Sequence, residues 1–185
     1  MGNRKELNIV LKNDLVLPQK RYLEIIERKS IGHPDTLADG IAESVSIDYS
    51  LYCLNNFGVI LHHNFDKIYI GGGKIDVDFG RGEIIKPVIL NLNGRVSKSF
   101  GDKKIDNKRI LEKAAKKYIS KVLPYMDIDN GLKIHFSVTD HSVKPYWFNP
   151  RDIKDIPDAT EPIANDTSNC VSFWPPSPIE ETTLK

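Results

Sequence analysis

A histidine and a proline precede three acidic residues spaced four apart, and this stretch offers the clearest chemistry in the chain. His33 and Pro34 are followed by Asp35, Asp39 and Glu43. Proline suits the first position of a helix because its missing N–H would be unpaired there. Residues four apart share one face of a helix. The spacing therefore predicts a helix that begins at Pro34 and carries a row of carboxylates along one side.

A row of carboxylates repels itself unless a positive charge lies near it. A lysine or arginine elsewhere in the fold could supply that charge, and so could a bound cation. Magnesium fits chemically, since it takes oxygen ligands and is often held by one or two carboxylates together with phosphates. His33 falls at the helix N-terminus, where free N–H groups favour an anion. The pattern permits a phosphate and metal site, and it also permits an ordinary capped helix with a solvated acidic face.

The elements around this helix indicate an α+β fold. The helix should run from Pro34 to about Asn55, with Gly58 as its C-terminal cap. The other predicted elements are strands over residues 5–12, 22–29, 67–70, 84–92 and 132–138, a turn at Asn93–Gly94, and a second helix over residues 107–123. This order predicts helices on one face of a mixed or mostly antiparallel sheet. We expect residues 1–185 to form a single region, with a core over 1–138 and a loop with a truncated continuation over 139–185.

Composition and charge argue against some classes of binding partner. The 185 residues carry a formal net charge of +1, and 28% of them are charged. This balance argues against nucleic acid or an anionic membrane as the main partner, although the second predicted helix has a basic face opposite Ile110, Ala114, Tyr118 and Val122. No apolar run approaches the roughly 20 residues of a membrane span, and the two cysteines form no CxxC pair. We therefore expect a cytoplasmic globular protein with reduced thiols.

Two further patterns resemble ligand sites but favour simpler interpretations. His62 and His63 suggest zinc, yet adjacent residues of a strand point to opposite faces and seldom share one ion. Three glycines precede Lys74, but Ile68 and Ile75 occupy positions where a phosphate-binding P-loop needs glycine and serine or threonine. A bend in the chain is the simpler interpretation of these glycines.

Three segments, taken together, match one family in order and in spacing. The first is Gly32-His33-Pro34-Asp35 followed by residues 38–43, the second is residues 57–73, which end in three glycines, and the third is Pro-Ile-Ala-Asn-Asp-Thr-Ser at residues 162–168. Together they resemble S-adenosylmethionine synthetase (methionine adenosyltransferase), and its archaeal-type branch in particular. The resemblance covers about residues 20–173 and is to the N-terminal portion of the family.

The resemblance implies a reaction in which ATP, L-methionine and water give S-adenosylmethionine, phosphate and diphosphate. It also implies paired subunits and assistance by Mg²⁺ and usually K⁺. By position, His33 corresponds to the catalytic and ATP-binding histidine beside the departing triphosphate, and Asp35 to a magnesium ligand. Asp39 and Glu43 correspond, more weakly, to the acidic helix positions, and the resemblance gives Asp39 as a second metal ligand. Ser142 and Asp166 correspond to residues of the ATP and methionine sites. A departing triphosphate needs cations and oriented donors around it.

The chain also departs from the family pattern. The family's Gly-Ser-Val-Asp element in its ATP loop corresponds to His141-Ser142-Val143-Lys144, and the chain ends at Lys185, where family members are about twice as long. Three hypotheses follow. The chain is a fragment or one half of a split synthetase, completed by another polypeptide; it is a non-catalytic relative that binds a nucleotide or associates with a synthetase subunit; or it is an interaction module. We favour the first and expect little catalysis by this chain alone. The expected protein partner is a second copy of the chain or a second synthetase polypeptide.

Overall fold

The computed structural model describes residues 16–17, 20–144, 146–156 and 175–184. The chain divides into two compact units, one formed by residues 1–28 with 165–185 and the other by residues 29–164. The larger unit contains helices α1 (Pro34–Phe57), α2 (Asn107–Val122) and α3 (Ile128–Gly131), and strands β1 (His63–Asn64), β2 (Tyr69–Gly71), β3 (Lys74–Asp78), β4 (Arg81–Lys86), β5 (Val88–Val96), β6 (Ser99–Phe100), β7 (Lys103–Lys104) and β8 (Leu132–Thr139). The smaller unit contains helix α4 (Pro178–Leu184). Whether 1–185 behaves as a single region with a core ending at residue 138 stays a prediction.

A mixed four-stranded sheet lies at the centre of the larger unit. β5 pairs with β1 and β2 in antiparallel fashion and with β8 in parallel fashion. The parallel pair stays in register from Val88 opposite Leu132 to Arg95 opposite Thr139. Leu90, Leu92 and other apolar side chains of β5 pack in one buried cluster with residues of α1 and α2. The predicted α+β class, a mixed sheet backed by helices, is confirmed.

Helix α1 has a capped start, a glycine at its end and apolar residues at helical spacing, and each of these features favours a helix. The His33 side chain accepts a hydrogen bond from the Asp35 N–H, and Pro34 occupies the first helical position. The buried residues recur every four positions, at Leu37, Ile41, Val45, Tyr49 and Cys53. Gly58 ends the helix in a left-handed conformation with φ of 73°, which glycine adopts without a steric penalty. The predicted start and cap are confirmed, and the helix ends at Phe57 rather than near Asn55.

Helix α2 lies where the sequence predicts it, but a different face is buried. Asp106 caps its N-terminus, and the helix ends at Val122, just before Pro124. Its fully buried apolar residues are Leu111, Ala114, Ala115 and Ile119. The predicted face, through Ile110 and Tyr118, is rotated by about one residue, because two alanines allow closer packing than the larger residues beside them. A side chain at Gly40 of α1 would overlap the Tyr118 ring, so that glycine admits Tyr118 between the helices.

The predicted turn at Asn93–Gly94 is wrong. Both residues lie within β5, and Gly94 pairs with Val138 of β8. A side chain at Gly94 would overlap the carbonyl oxygen of Asn64 in the neighbouring strand β1, and the φ of Gly94 is 153°. The glycine therefore allows close approach of two strands, which is a second use of glycine besides a turn.

The predicted strand over residues 22–29 is also wrong. Residues 23–30 have no regular secondary structure, and within the described residues they pair with no strand. An extended segment becomes part of a sheet only if another strand pairs with it, and the local sequence pattern does not show whether such a strand is present. The predicted strand over residues 5–12 lies outside the described residues.

The remaining strands are short or stand apart from the main sheet. β3 and β4 form a hairpin of their own, as do β6 and β7. From residue 140 to residue 156, the described residues after β8 are irregular apart from a short 3-10 turn at Ile153–Asp155. Among the described residues, no helix has the length and apolar character needed to cross a membrane.

Candidate functional site

Three side chains capable of binding an anion or a cation meet at the start of α1. The Lys29 ammonium donates a hydrogen bond to the Asp35 carboxylate. His33 Nδ1 accepts a hydrogen bond of 3.1 Å from the Asp35 N–H. The Lys29 hydrogen bond and charge lower the pKa of Asp35. All three side chains are substantially exposed, so a ligand in solution can reach them.

The hydrogen bond at His33 fixes which ring nitrogen can donate. Because Nδ1 accepts the Asp35 N–H, a neutral His33 ring carries its proton on Nε2. The first N–H groups of a helix lack partners within the helix and carry partial positive charge. The start of α1 therefore offers an anion the His33 Nε2–H, the helix N-terminus and, close by, the Lys29 ammonium.

The acidic stripe does not converge on this point. Asp39 and Glu43 line a groove of about 310 Å³ between α1 and the chain after β1, together with Ser46 and Asp66. Asp35 is not among the residues of that groove. Of the two predicted metal ligands, only Asp39 therefore lines this groove, although Asp35 lies one turn before it on the same face of α1.

The carboxylates fit a magnesium ion only in part. Among the described residues, no group of three His, Cys, Asp or Glu side chains is placed to share one ion. Magnesium is commonly held by one or two carboxylates with the rest of its shell from water and substrate phosphates. Asp35, which is exposed and lies at the N-terminal end of α1, fits that mode of binding. Asp39 lies one turn further along the helix.

The two adjacent histidines point in different directions. His63 Nε2 lies 2.8 Å from the Ser46 Oγ, and His63 Nδ1 lies 2.9 Å from the Leu61 carbonyl oxygen. Since a carbonyl can only accept, Nδ1 carries the proton and Ser46 donates to Nε2. His62 instead stacks on Trp147, with the ring centroids 4.5 Å apart and the planes 6° from parallel.

Ser142, the predicted ATP-binding serine, lies in the irregular chain that follows β8. Its Oγ accepts a hydrogen bond of 3.1 Å from the Lys144 N–H, so the hydroxyl stabilises a local turn. Nearby, the Asp140 carboxylate accepts hydrogen bonds from Lys98 Nζ at 2.8 Å and from the Asn149 amide at 3.0 Å. These contacts lower the pKa of Asp140, with Lys98 making the larger contribution.

Aromatic side chains hold the same loop against the sheet. Phe148 is fully buried, and the Arg95 guanidinium lies 5.7 Å from its ring centre. The Lys144 ammonium lies 4.4 Å from the ring centre of Trp147. Sequence reasoning did not find these contacts, although the run Tyr146-Trp147-Phe148 in an otherwise polar loop was an available signal.

His33 and Ser142 lie at opposite ends of the main sheet. Gly32 and Pro34 line an apolar groove with Leu132, the first residue of β8. Ser142 follows Thr139, the last residue of β8. The two ends of this eight-residue strand are seven steps apart, or about 23 Å at roughly 3.3 Å per step. The structure therefore brings His33 and Asp35 together and keeps Ser142 apart from them, while Asp166 lies outside the described residues.

Comparisons with known proteins agree with these motifs. The S-adenosylmethionine synthetase (AdoMet synthetase) family matches residues 8–185. S-adenosylmethionine synthases of two archaea are similar: that of Thermoplasma volcanium is 36% identical over 181 residues, and that of Methanospirillum hungatei is 38% identical over 180 residues. An uncharacterized protein of Streptococcus pyogenes serotype M3 is 44% identical over 179 residues.

These matches cover nearly the whole of this chain but less than half of each relative. They span 98%, 96% and 96% of this chain, and 43%, 43% and 45% of the Thermoplasma, Methanospirillum and Streptococcus proteins. The predicted resemblance to the family, including its archaeal-type members, is confirmed. The chain belongs to the S-adenosylmethionine synthetase family.

Proposed function

We propose that this chain is the part of an S-adenosylmethionine synthetase that binds the triphosphate of ATP, and that it is catalytic only when another subunit completes the site. The reaction joins the methionine sulfur to C5′ of ATP and displaces the triphosphate, which is then hydrolysed to phosphate and diphosphate. The observation that carries the proposal is the exposed cluster of Lys29, His33 and Asp35 at the start of α1. His33 and Asp35 fall in the family motif, and the cluster combines donors for phosphate oxygens with a carboxylate that can hold a magnesium ion.

Each residue of this cluster has a distinct part in the proposal. The His33 Nε2–H and the N-terminal amides of α1 would donate to triphosphate oxygens, where negative charge increases as the C5′–O bond breaks. Asp35 and, less directly, Asp39 would hold Mg²⁺. When bound, that ion would neutralise part of the phosphate charge. The Lys29 ammonium, which binds Asp35, would add a positive charge close to the phosphates.

The separation of His33 from Ser142 supports completion by another subunit. One substrate molecule cannot contact both residues of one chain if they lie at opposite ends of an eight-residue strand. In a homo-oligomer, or with a second synthetase polypeptide, the loop of one subunit can face the α1 start of the other. Methionine, K⁺, Asp166 and a cytoplasmic location belong to this proposal through the family alone.

One observation favours a second candidate, a non-catalytic relative that binds a nucleotide or associates with a synthetase. The loop that corresponds to the family's ATP loop uses its charges to stabilise itself: Lys144 lies over Trp147, and Asp140 binds Lys98. A loop held in this way has fewer groups available for ATP. This candidate keeps the anion site at the start of α1 and omits the chemical step.

Turnover by the isolated chain distinguishes the proposal from a complete enzyme. Loss of a single oriented donor typically lowers a rate by about 10²–10³, and more than one is absent when half of the site is absent. Purified chain incubated with ATP, methionine, Mg²⁺ and K⁺ should therefore give no S-adenosylmethionine above background by mass spectrometry. A full-length archaeal synthetase is the positive control. Turnover comparable to that control, abolished by His33→Ala, would contradict the proposal.

A further inference from the structure

An apolar groove of about 450 Å³ lies between the β3–β4 hairpin and the segment that joins α2 to α3. Gly82, Ile84 and Lys86 are alternate residues of β4 and all line it, so one face of this strand is directed toward the groove. The other wall includes Leu123 and Met126. Ligand sites in proteins are mostly apolar and commonly measure about 300–1,000 Å³. The groove therefore has the size and the lining of a small-molecule site.

The charge at this groove is positive and has no internal counterpart. Of the described residues that line the groove, only Lys86 is charged. Lys74 lies directly opposite Lys86 in the hairpin, and both lysines are exposed. Neither has an oppositely charged partner among the described residues. Like charges directly opposite each other in a hairpin are destabilising, and a bound anion would relieve that repulsion. The groove is therefore complementary to an apolar molecule that carries one negative charge.

The direction of β4 sets the shape of that molecule. Lys86 is the last residue of β4, and Gly82 lies four steps before it, or about 13 Å at roughly 3.3 Å per step. An extended chain of about ten carbons, with bonds of about 1.5 Å in a zigzag, has a similar length. Gly82 leaves the far end of the groove open because it has no side chain. A Cβ atom there would meet only Val77 and the backbone of Asp76, at 3.6 Å and 3.8 Å.

We propose that this groove binds a medium-chain fatty carboxylate, with its head at Lys86 and Lys74 and its unbranched chain along β4 toward Gly82. The carboxylate accepts charge-assisted hydrogen bonds from the two ammonium groups, which are stronger than hydrogen bonds between neutral groups. The chain leaves water for the apolar walls, and each buried methylene adds to the affinity. A positively charged head would be repelled by the same two lysines. This site depends neither on the proposed synthetase activity nor on a second subunit.

Calorimetric titration of the full chain with decanoate, below its micelle concentration, tests the site. The native chain should bind one decanoate. Decyltrimethylammonium, which has the same chain and a positive head, should bind at least about 10-fold more weakly. Octanoate should also bind about 10-fold more weakly, because it buries two fewer methylenes. Absence of decanoate binding, several decanoates per chain, equal affinity for the two head groups, or equal affinity for decanoate and octanoate would each overturn the proposal.

Two variants test where the head and the chain lie. Lys86→Ala should weaken decanoate binding by about 10-fold. Lys104→Ala, at an exposed lysine of β7 outside the groove, is the matched control and should leave it unchanged. Gly82→Leu should close the far end of the groove, and so weaken decanoate by about 10-fold and the shorter octanoate by less.

Circular dichroism establishes that each variant remains folded. Unchanged decanoate affinity in Lys86→Ala or in Gly82→Leu, an equal loss in Lys104→Ala, or equal losses for decanoate and octanoate in folded Gly82→Leu protein would each overturn the proposal. Any of these results would place the bound anion on another surface of the chain.

Discussion

At the start of α1 the charged side chains lie in solvent and bind one another, whereas beyond the end of β8 they hold a loop against aromatic rings. Lys29 pairs with Asp35 in the open. At the other end of the sheet, Arg95 lies over the buried Phe148 ring, and Lys98, two residues after β5, pairs with Asp140. At the start of α1, the exposed Asp35 can exchange its hydrogen bond with Lys29 for a ligand without a change in the buried core. The charged groups beyond β8 cannot bind a ligand unless the loop loosens.

The largest expected effect comes from removing the aromatic anchor of the loop. Phe148 is fully buried, so Phe148→Ala should lower the free energy of unfolding by about 3–5 kcal/mol, as for other buried aromatic residues. It should leave the cluster at the start of α1 able to bind Mg²⁺–ATP at a temperature where the variant is folded. Urea denaturation and calorimetric titration measure the two quantities. The control Val143→Ala, in the same loop but exposed, should change neither.

Two results would contradict this difference between the start of α1 and the loop after β8. A decrease in unfolding free energy below about 1 kcal/mol for Phe148→Ala would show that the loop is not anchored as described. An equal loss of Mg²⁺–ATP affinity in folded Phe148→Ala protein would show that the loop and the start of α1 are coupled.

A smaller expected effect is a dependence of folding stability on pH, which arises from two histidines near the loop that follows β8. Burial lowers the pKa of His62, assisted by the charges of His63, Arg95 and Lys144, and burial also lowers the pKa of His63. The unfolded chain therefore takes up these protons first as the pH falls. The stabilisation is complete above about pH 6.5, the ordinary histidine value, and is lost as the pH falls toward the folded-state pKa values.

Unfolding free energies measured at several pH values between 7 and about 5 check this prediction. His62→Gln should flatten the dependence in part, because it removes one of the two histidines. His135→Gln, at an exposed histidine of β8, should leave it unchanged. Native stability that rises as the pH falls through this range would contradict the assigned direction.

Sequence alone predicted the parts of the molecule whose causes are local. α1 is bounded by a cap, a proline and a left-handed glycine, and its apolar residues are spaced four apart, so its start, its Gly58 cap and its buried face could be predicted, and its last residue only approximately. Gly94 was misassigned because glycine marks both turns and close strand approaches, and only the position of β1 distinguishes them. The strand predicted over residues 22–29 failed for a related reason, since strand pairing is not local.

In the candidate site, too, contacts between neighbouring residues could be predicted, and contacts between distant segments could not. His33 and Asp35 are two residues apart on one helix, so their proximity follows from the sequence. The contact of His62 with Trp147 joins segments far apart in the chain, and no spacing rule reports it. The distance between Ser142 and His33 likewise depends on the direction and length of β8, which the motifs do not contain.

Asp35→Asn should have the smallest effect on stability, because the Lys29–Asp35 pair is exposed and such pairs contribute little. Its effect on ligand binding should be large by comparison. Asp127→Asn is the matched control, since Asp127 is an exposed carboxylate with a lowered pKa that caps α3 rather than α1.

Calorimetric titration of the chain with ATP, with and without Mg²⁺, tests the central claim that the start of α1 is a magnesium–nucleotide site. The native chain and Asp127→Asn should bind ATP more tightly with Mg²⁺ than without it. Asp35→Asn should lose that difference, with a dissociation constant for Mg²⁺–ATP raised by roughly 10-fold or more. Equal heats and equal affinities for the native chain and Asp35→Asn would contradict the account.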